Sequence, residues 1–216
     1  RVQTEHGTET PLPEDGYQGD YLVDIAKDFI AEHGASYKGV AYEDHVDTFI
    51  DFAKASITEV IKTDLDEMGI RFDTWFSEKS LHKDGTIVDA VEDLKGRDII
   101  YKKDGALVFR TTDFGDDNDR VVVRADGRPT YFAADIGYHY NKFDRGFDTA
   151  INIWGADHHG YVPRVKAALN ARQLDPEKLE ILMIQFVGLV RDGVQVKMST
   201  RSGQFAELRS IIDEVG

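Results

Sequence analysis

The chain has 216 residues, 41% of them hydrophobic and 11% aromatic, a formal net charge of −14 and no cysteine. That apolar content suffices for a folded core. The missing cysteines exclude disulfides, thiolate zinc sites and cysteine nucleophiles, and the acidic balance argues against a surface that coats DNA or any other nucleic acid, which needs clustered Lys and Arg. An acidic surface suits a cationic small substrate better.

No apolar run reaches the roughly 18 residues of a membrane helix and no charged-then-apolar leader opens the chain, so a cytoplasmic protein without membrane contact is expected. The chain begins at Arg1 rather than Met and stops at Gly216 behind an amphipathic stretch, which suggests a piece of something longer.

In chain order, DYLVDIAKDFIAEHG (20–34) places Tyr21, Leu22, Ile25, Phe29 and Ile30 on one helical stripe, with Asp20 as N-cap and Gly34 as stop. A longer helix is predicted from Asp44 to Met68, closed by Gly69, then a strand in IRFDTWFSE and a helix from Thr86 to Lys95. RDIIYKKDGALVFR reads as two strand-forming runs about a Lys-Asp-Gly turn. Beyond Ala106 the pattern alternates strand and helix. RVVVR and TYFAAD flank the turn ADGRP, and a helix is predicted over Asp135–Phe143. The strand TAINIWG follows, then the helix YVPRVKAALNAR with Pro163 in its first turn. LEILMIQFVGLV reads as a strand covered on both faces, and RDGV turns the chain into VQVKMS. Such alternation predicts a parallel α/β sheet with ligands outside the carboxyl ends of its strands.

Three stretches could carry chemistry. GADHHG (155–160) sits where a strand meets a helix, a corner that offers unpaired N–H groups to an anion. His158 and His159 are adjacent, so on a helix they diverge by about 100° and at most one could share an ion with Asp157. A metal site, a structural pair and a small-molecule pocket all stay open here. KMSTRSG (197–203) offers Lys197, Arg201 and the hydroxyls of Ser199, Thr200 and Ser202 around Gly203, as a phosphate-binding loop or a plain solvated turn. In TYFAADIGYH, Tyr131 and Asp135 lie four apart; Asp135 either caps a helix or faces a pocket and pairs with a guanidinium or amine.

In this order, WFSEKSL (75–81), KDGALVFRTTDFGDDNDRVVVRADGRPTYFAADIGYH (103–139), WGADHHGYVPRVKAAL (154–169) and VKMSTRSGQF (196–205) resemble the bacterial-type arginyl-tRNA synthetases, members of class I. The resemblance implies an α/β fold: the second half of the class I Rossmann-like parallel sheet at 106–216, preceded at 1–105 by a mainly helical insertion with some β. It also implies activation of L-arginine by ATP, with Mg2+, to arginyl-adenylate, followed by transfer to tRNA(Arg). KMSTR lies at the family's Lys-Met-Ser-Lys-Ser signature, with Thr200 in place of the second lysine. By resemblance, Lys197, Ser199, Thr200 and Arg201 would serve catalysis, and Lys197 and Arg201 would meet the leaving phosphates. Gly155, Asp157 and Met198 would bind ATP, and Tyr131, Asp135 and His158 would line the arginine pocket, with Asp135 as the guanidinium's partner. No metal ligand is implied.

The family's His-Ile-Gly-His-like string does not occur in this sequence, and the anticodon-reading helical domain is not expected in it, so the 216 residues alone are expected to be inactive. A metal-dependent hydrolase or deaminase built on Asp157, His158 and His159 is the alternative.

Overall fold

The computed structural model describes residues 1–8, 16, 19–185, 187–195 and 207–215. They fall into two compact units, one made of 1–74 with 188–216 and the other of 75–187. Among the described residues no helix is long and apolar enough to cross a membrane.

The first unit carries α1 (Val2–Glu5), α2 (Tyr21–His33) and α3 (Val46–Glu67). Helix α2 ends where the sequence places its stop, at Gly34 with φ 58°, a backbone conformation open to a residue without Cβ. Asp20 stands at the N-cap, but its side chain accepts no capping bond. Phe29 is the anchor of this unit: the rings of His33, Tyr37, Phe49 and Phe52 lie 4.3–5.1 Å from it and tie α2 to α3. The later residues of the unit form a hairpin, Val190–Arg191 with Val194–Gln195, turned at Asp192 (φ 52°) and Gly193 (φ 77°) as RDGV predicts. A helix over Leu208–Val215 follows, whose Arg209 pairs with Asp64 and Glu67 of α3.

The second unit begins with α4 (Glu78–Lys83) and α5 (Thr86–Gly96). An antiparallel sheet follows in the order β1 (Ile100–Lys103), β2 (Ala106–Phe109), β3 (Arg120–Val123). The β1–β2 turn is the predicted Lys-Asp-Gly, with Asp104 at φ 49° and Gly105 at φ 81°, the positive pair that a two-residue hairpin with the strands' own twist requires. Next come α6 (Tyr131–Asp144), β4 (Ala150–Gly155), α7 (Val162–Ala171, with Pro163 in its first turn) and β5 (Leu179–Ile184). β4 and β5 pair in parallel, from Ala150 against Leu179 to Gly155 against Ile184, so the expected β–α–β unit of an α/β sheet is present. Leu94, Phe109, Val122, Ile136, Leu169 and Leu179 are fully buried and join α5, α6 and α7 to both sheets. Gly137 lets α6 approach α5 closely, since a Cβ there would stand 3.4 Å from the Ile87 Cα.

Three expectations are corrected. IRFDTWFSE forms no strand: Ile70, Phe72 and Trp75 stay exposed outside any ladder, and Glu78 starts α4 instead. TYFAAD is helical from Tyr131, because Thr130 rather than Asp135 is the N-cap, its hydroxyl accepting from the Ala133 N–H at 3.3 Å. LEILMIQFVGLV is not one strand: Val190 belongs to the separate hairpin, and the strand over Leu179–Ile184 is covered on one face alone. Its outward Leu182 and Ile184 are about half exposed, as are the outward Ile151 and Ile153 of β4.

Candidate functional site

The carboxyl end of β4 is the corner that the sequence marks for a ligand. Gly155 ends the strand and Ala156–Tyr161 form a short 3-10 turn into α7. Gly155 is there for space: a Cβ would lie 2.6 Å from Asp157 Oδ1, so the carboxylate of Asp157 folds back over the strand end. Asp157 Oδ2 stands 3.6 Å from His158 Nε2, both side chains are more than half exposed, and the His158 ring lies 6.2 Å from that of Trp154. Among the described residues no three His, Asp or Glu side chains are placed to share a metal ion.

Tyr161, the last residue of the 3-10 turn, ties this corner to α6. Its hydroxyl donates to Asp135 Oδ2 at 2.7 Å. Asp135 lies one turn inside α6, half-buried. Burial, the bond from Tyr161 and the neighbouring Glu78, Lys142 and Arg164 charges act on it together, burial most strongly, and its pKa is raised above the usual carboxylate range. Burial and then Asp135 likewise push the Tyr161 hydroxyl upward, so at neutral pH it keeps the proton it donates. The Arg164 guanidinium lies 4.4 Å above the Tyr161 ring.

Asp135 lines a hollow of about 250 Å³ together with Phe76, Glu78, Leu81, Ala134 and Tyr138. The Phe76 and Tyr138 rings stack at 4.8 Å. A neighbouring hollow of about 340 Å³ shares Glu78 and Ala134 and is walled by Arg124 and by Tyr131, which is 81% exposed. Tyr131 and Asp135, one helical turn apart on α6, therefore address adjoining spaces that meet at Glu78.

Behind Asp135 runs a polar chain. The Asp135 backbone carbonyl can only accept, so His139 Nδ1, 2.7 Å away, carries the proton and donates to it. His139 Nε2 accepts from Asn152 Nδ2 at 2.8 Å, and Asn152 Oδ1 accepts from Lys142 Nζ at 2.7 Å. His139 and Asn152 are buried. Burial, with the charge of Lys142, lowers the His139 pKa to about 4, and burial, with the Arg145 charge, lowers Lys142 to about 8.

Of the residues singled out in the sequence, the structure therefore joins Asp135 to the Gly155–Asp157 corner through Tyr161 and sets Tyr131 beside the same hollow. His158 faces Asp157 rather than Asp135. Lys197, Met198, Ser199, Thr200 and Arg201 lie outside the described residues. The sequence alone does not single out Glu78, Phe76, Tyr138, Tyr161, His139 and Asn152. A signal for part of this set exists: Asp135, Tyr138, His139 and Lys142 follow the i, i+3, i+4, i+7 spacing of one helix face. All four lie within the helix predicted over Asp135–Phe143, so the spacing is available in the sequence.

A parallel β–α–β unit whose strand-end corner is tied through Tyr161 to the acid of a hollow on α6 is compatible with ligand binding at the strand ends of an open α/β sheet. A family model for tRNA synthetases class I (R), catalytic domain, matches residues 18–216. The chain is 50% identical over 210 residues to an arginine–tRNA ligase of Citrifermentans bemidjiense, covering 97% of this chain and 38% of that protein, and 47% identical to one of Listeria welshimeri with the same coverages. A crystal structure assigned to an arginyl-tRNA synthetase of Campylobacter jejuni superposes with a TM-score of 0.88 at 37% identity, over 99% of this chain and 46% of that one. The arginyl-tRNA synthetase of Thermus thermophilus matches with a TM-score of 0.67 at 16% identity, a likeness of fold alone. The chain belongs to the arginine-specific class I tRNA synthetase family, as a stretch of its catalytic domain, and spans about 38% of the length of the curated relatives it matches. These relatives lend no support to a metal-dependent hydrolase.

Proposed function

We propose that this chain supplies the amino-acid pocket and part of the nucleotide site of an arginine–tRNA ligase. Residues 106–216 belong to the nucleotide-binding fold and 1–105 to its helical insertion. The observation that carries the reading is the hollow at Asp135: two carboxylates, Asp135 and Glu78, beside the stacked rings of Phe76 and Tyr138. A planar guanidinium is matched by carboxylates held at fixed angles, whereas an ammonium is a point charge that gains less from them. Glu78 raises the cost of ionising Asp135 in the empty pocket, and a bound cation relieves it, so charge complementarity is completed only by the ligand.

In the reaction, an oxygen of the arginine carboxylate bonds to the α-phosphorus of ATP, supplied as its Mg2+ complex, and the bond to the β-phosphate oxygen breaks to release pyrophosphate. The arginyl group then passes to a hydroxyl at the 3′ end of tRNA(Arg), with AMP as leaving group. Gly155 allows backbone to approach the nucleotide, Asp157 accepts from its ribose hydroxyls, and Met198 is assigned to ATP binding by the family resemblance. Lys197 and Arg201, with the hydroxyls of Ser199 and Thr200, offset the charge that develops on pyrophosphate. Tyr131 would approach the arginine from the adjoining hollow, His158, which faces Asp157, is assigned to the arginine pocket by the family resemblance, and the reaction belongs in the cytoplasm.

Calorimetric titration of the chain with L-arginine and with L-citrulline, its neutral isostere, tests the pocket. Arginine is expected to bind at least tenfold more tightly, and Asp135→Asn to abolish the preference. Equal affinities for the two amino acids would remove the assignment.

A further inference from the structure

We propose that Tyr161 is a specificity-determining positioning residue: its hydroxyl holds the Asp135 carboxylate in one orientation and leaves the other oxygen, Oδ1, for the cationic end of the ligand. The inference rests on the arginine-pocket reading and adds to it a residue on a different element. Asp135 Oδ2 accepts the Tyr161 proton at 2.7 Å, and among the described residues no hydrogen-bond donor is found for Oδ1. The terminal torsion of an aspartate is broad, so its two oxygens are not fixed in direction unless one is pinned. Pinning Oδ2 leaves a single acceptor edge for the hollow that Asp135 lines with Glu78 and Tyr138.

Tyr161 is itself held from three sides. Arg164 covers its ring at 4.4 Å, Trp154 meets it edge-on at 6.1 Å, and Phe132 of α6 does so at 6.2 Å. The Arg164 Nε is buried and makes no hydrogen bond, so the ring stack, rather than that nitrogen, sets where the guanidinium sits. The backbone of Asp135 is fixed independently by His139, which Asn152 of β4 secures in turn. The acid is thus gripped at its carboxylate from the 3-10 turn and at its carbonyl from the strand. The charged groups facing it are Glu78 from α4, Lys142 from its own helix and Arg164 from α7.

The test uses the 216-residue chain, Tyr161→Phe, Arg164→Met and Asp135→Asn, with arginine and citrulline titrated calorimetrically and the Asp135 carboxyl carbon followed by NMR against pH. Tyr161→Phe is expected to weaken arginine about tenfold, the scale of one hydrogen bond to a charged group, to leave citrulline unchanged, and to move the Asp135 titration upward. Arg164→Met should act in the same direction with a smaller change. A merely structural role would weaken both amino acids together, and that result, or an Asp135 titration that does not move in Tyr161→Phe, overturns the inference. If Asp135→Asn binds arginine as the parent does, or the parent takes up no arginine, the pocket reading itself fails and the inference goes with it; loss in Asp135→Asn with none in Tyr161→Phe removes the inference alone.

Discussion

Replacing Asn152 by Asp is expected to remove the acid sensitivity that His139 gives this protein. In the parent chain, Asn152 Nδ2 donates to His139 Nε2, which fixes the imidazole as neutral; the folded-state pKa is about 4 against about 6.5 in an unfolded chain. Because the folded value is the lower one, the unfolded state binds the extra proton. The contribution to stability is intact above pH 6.5 and is lost as pH falls toward 4. Linkage between these two values gives a loss of about 2 kcal/mol between pH 7 and 4.5, since each tenfold difference in proton affinity is worth about 1.4 kcal/mol. His139 is 3% exposed, so solvent screening takes little from this figure.

An aspartate of the same shape at 152 presents an acceptor where the amide presented a donor. It also keeps the acceptor that meets Lys142 at 2.7 Å. His139 then gains by taking the second proton, its pKa rises above the unfolded value, and the acid loss attributable to it disappears. Urea unfolding followed by tryptophan fluorescence measures this directly, since both tryptophans, Trp75 and Trp154, lie in the unit of 75–187. The difference in stability between pH 7 and 4.5 should be about 2 kcal/mol smaller in the variant than in the parent. An identical loss in both would show that the Asn152–His139 bond does not hold the ring neutral.

Other substitutions separate folding from function. Thr130→Ala removes the cap of α6 and should cost about 1 kcal/mol, a fall of roughly 4 °C in the melting temperature of a unit this size, with Thr130→Ser restoring it. Asp116→Ala strips the partner of Arg120, which reaches the acid with two nitrogens at 2.7 and 3.0 Å. With the Asp116 side chain only 2% exposed, about 3 kcal/mol of stability should go, read by urea unfolding. Gly155→Ala should change stability by less than about 0.5 kcal/mol, because the atom its methyl meets is the end of an exposed side chain. It should still lower ATP affinity by swinging Asp157 aside, and unchanged nucleotide binding measured by equilibrium dialysis would separate Asp157 from the ribose.

Local chemistry was legible wherever a residue has one dominant preference. Gly34 and the Asp-Gly pairs at 104–105 and 192–193 adopt the positive φ that few other residues tolerate. Periodicity gave α2, α3, α5 and α7 to within two residues, and the β4–α7–β5 alternation gave the parallel pair. The misses share a cause: short apolar runs carry no period of their own. TYFAAD is as apolar as a strand, and the helix is set by the Thr130 hydroxyl, bonded back to β3 at Val121 and onward to Ala133, together with the burial of Phe132, Ala133 and Ile136 on one helical face. IRFDTWFSE has strand formers, but the β1–β2–β3 sheet is assembled without it. The site followed the same rule. Gly155 and Asp157 were legible as a strand-to-helix corner, and Asp135 as an acid near it. Glu78 was not, because its approach to Asp135 joins elements more than fifty residues apart in the chain, and no local pattern encodes such a contact.

The buried chain from Lys142 through Asn152 to His139 makes sense as a register device rather than as a source of stability. Apolar side chains of like volume would fill the same space at similar or lower free energy. They would not choose between alignments, since β4 carries Ile151 and Ile153 on either side of Asn152. A shift of the strand by one residue would turn an isoleucine toward His139 and leave its Nε2 without a donor and the Lys142 ammonium without an acceptor, in a place where both are costly. Asn152 therefore sets which residue of β4 stands opposite His139 of α6. Three residues further along the strand, the same choice sets where Gly155 ends it and Asp157 folds back. Since His139 also bonds the backbone carbonyl of Asp135, one amide fixes the spacing between the acid proposed to meet the amino acid and the corner proposed to meet the nucleotide. For the proposed reaction, which joins two bound ligands, that spacing would govern the rate, because reactants held in attacking geometry gain far more than either gains from tighter binding alone.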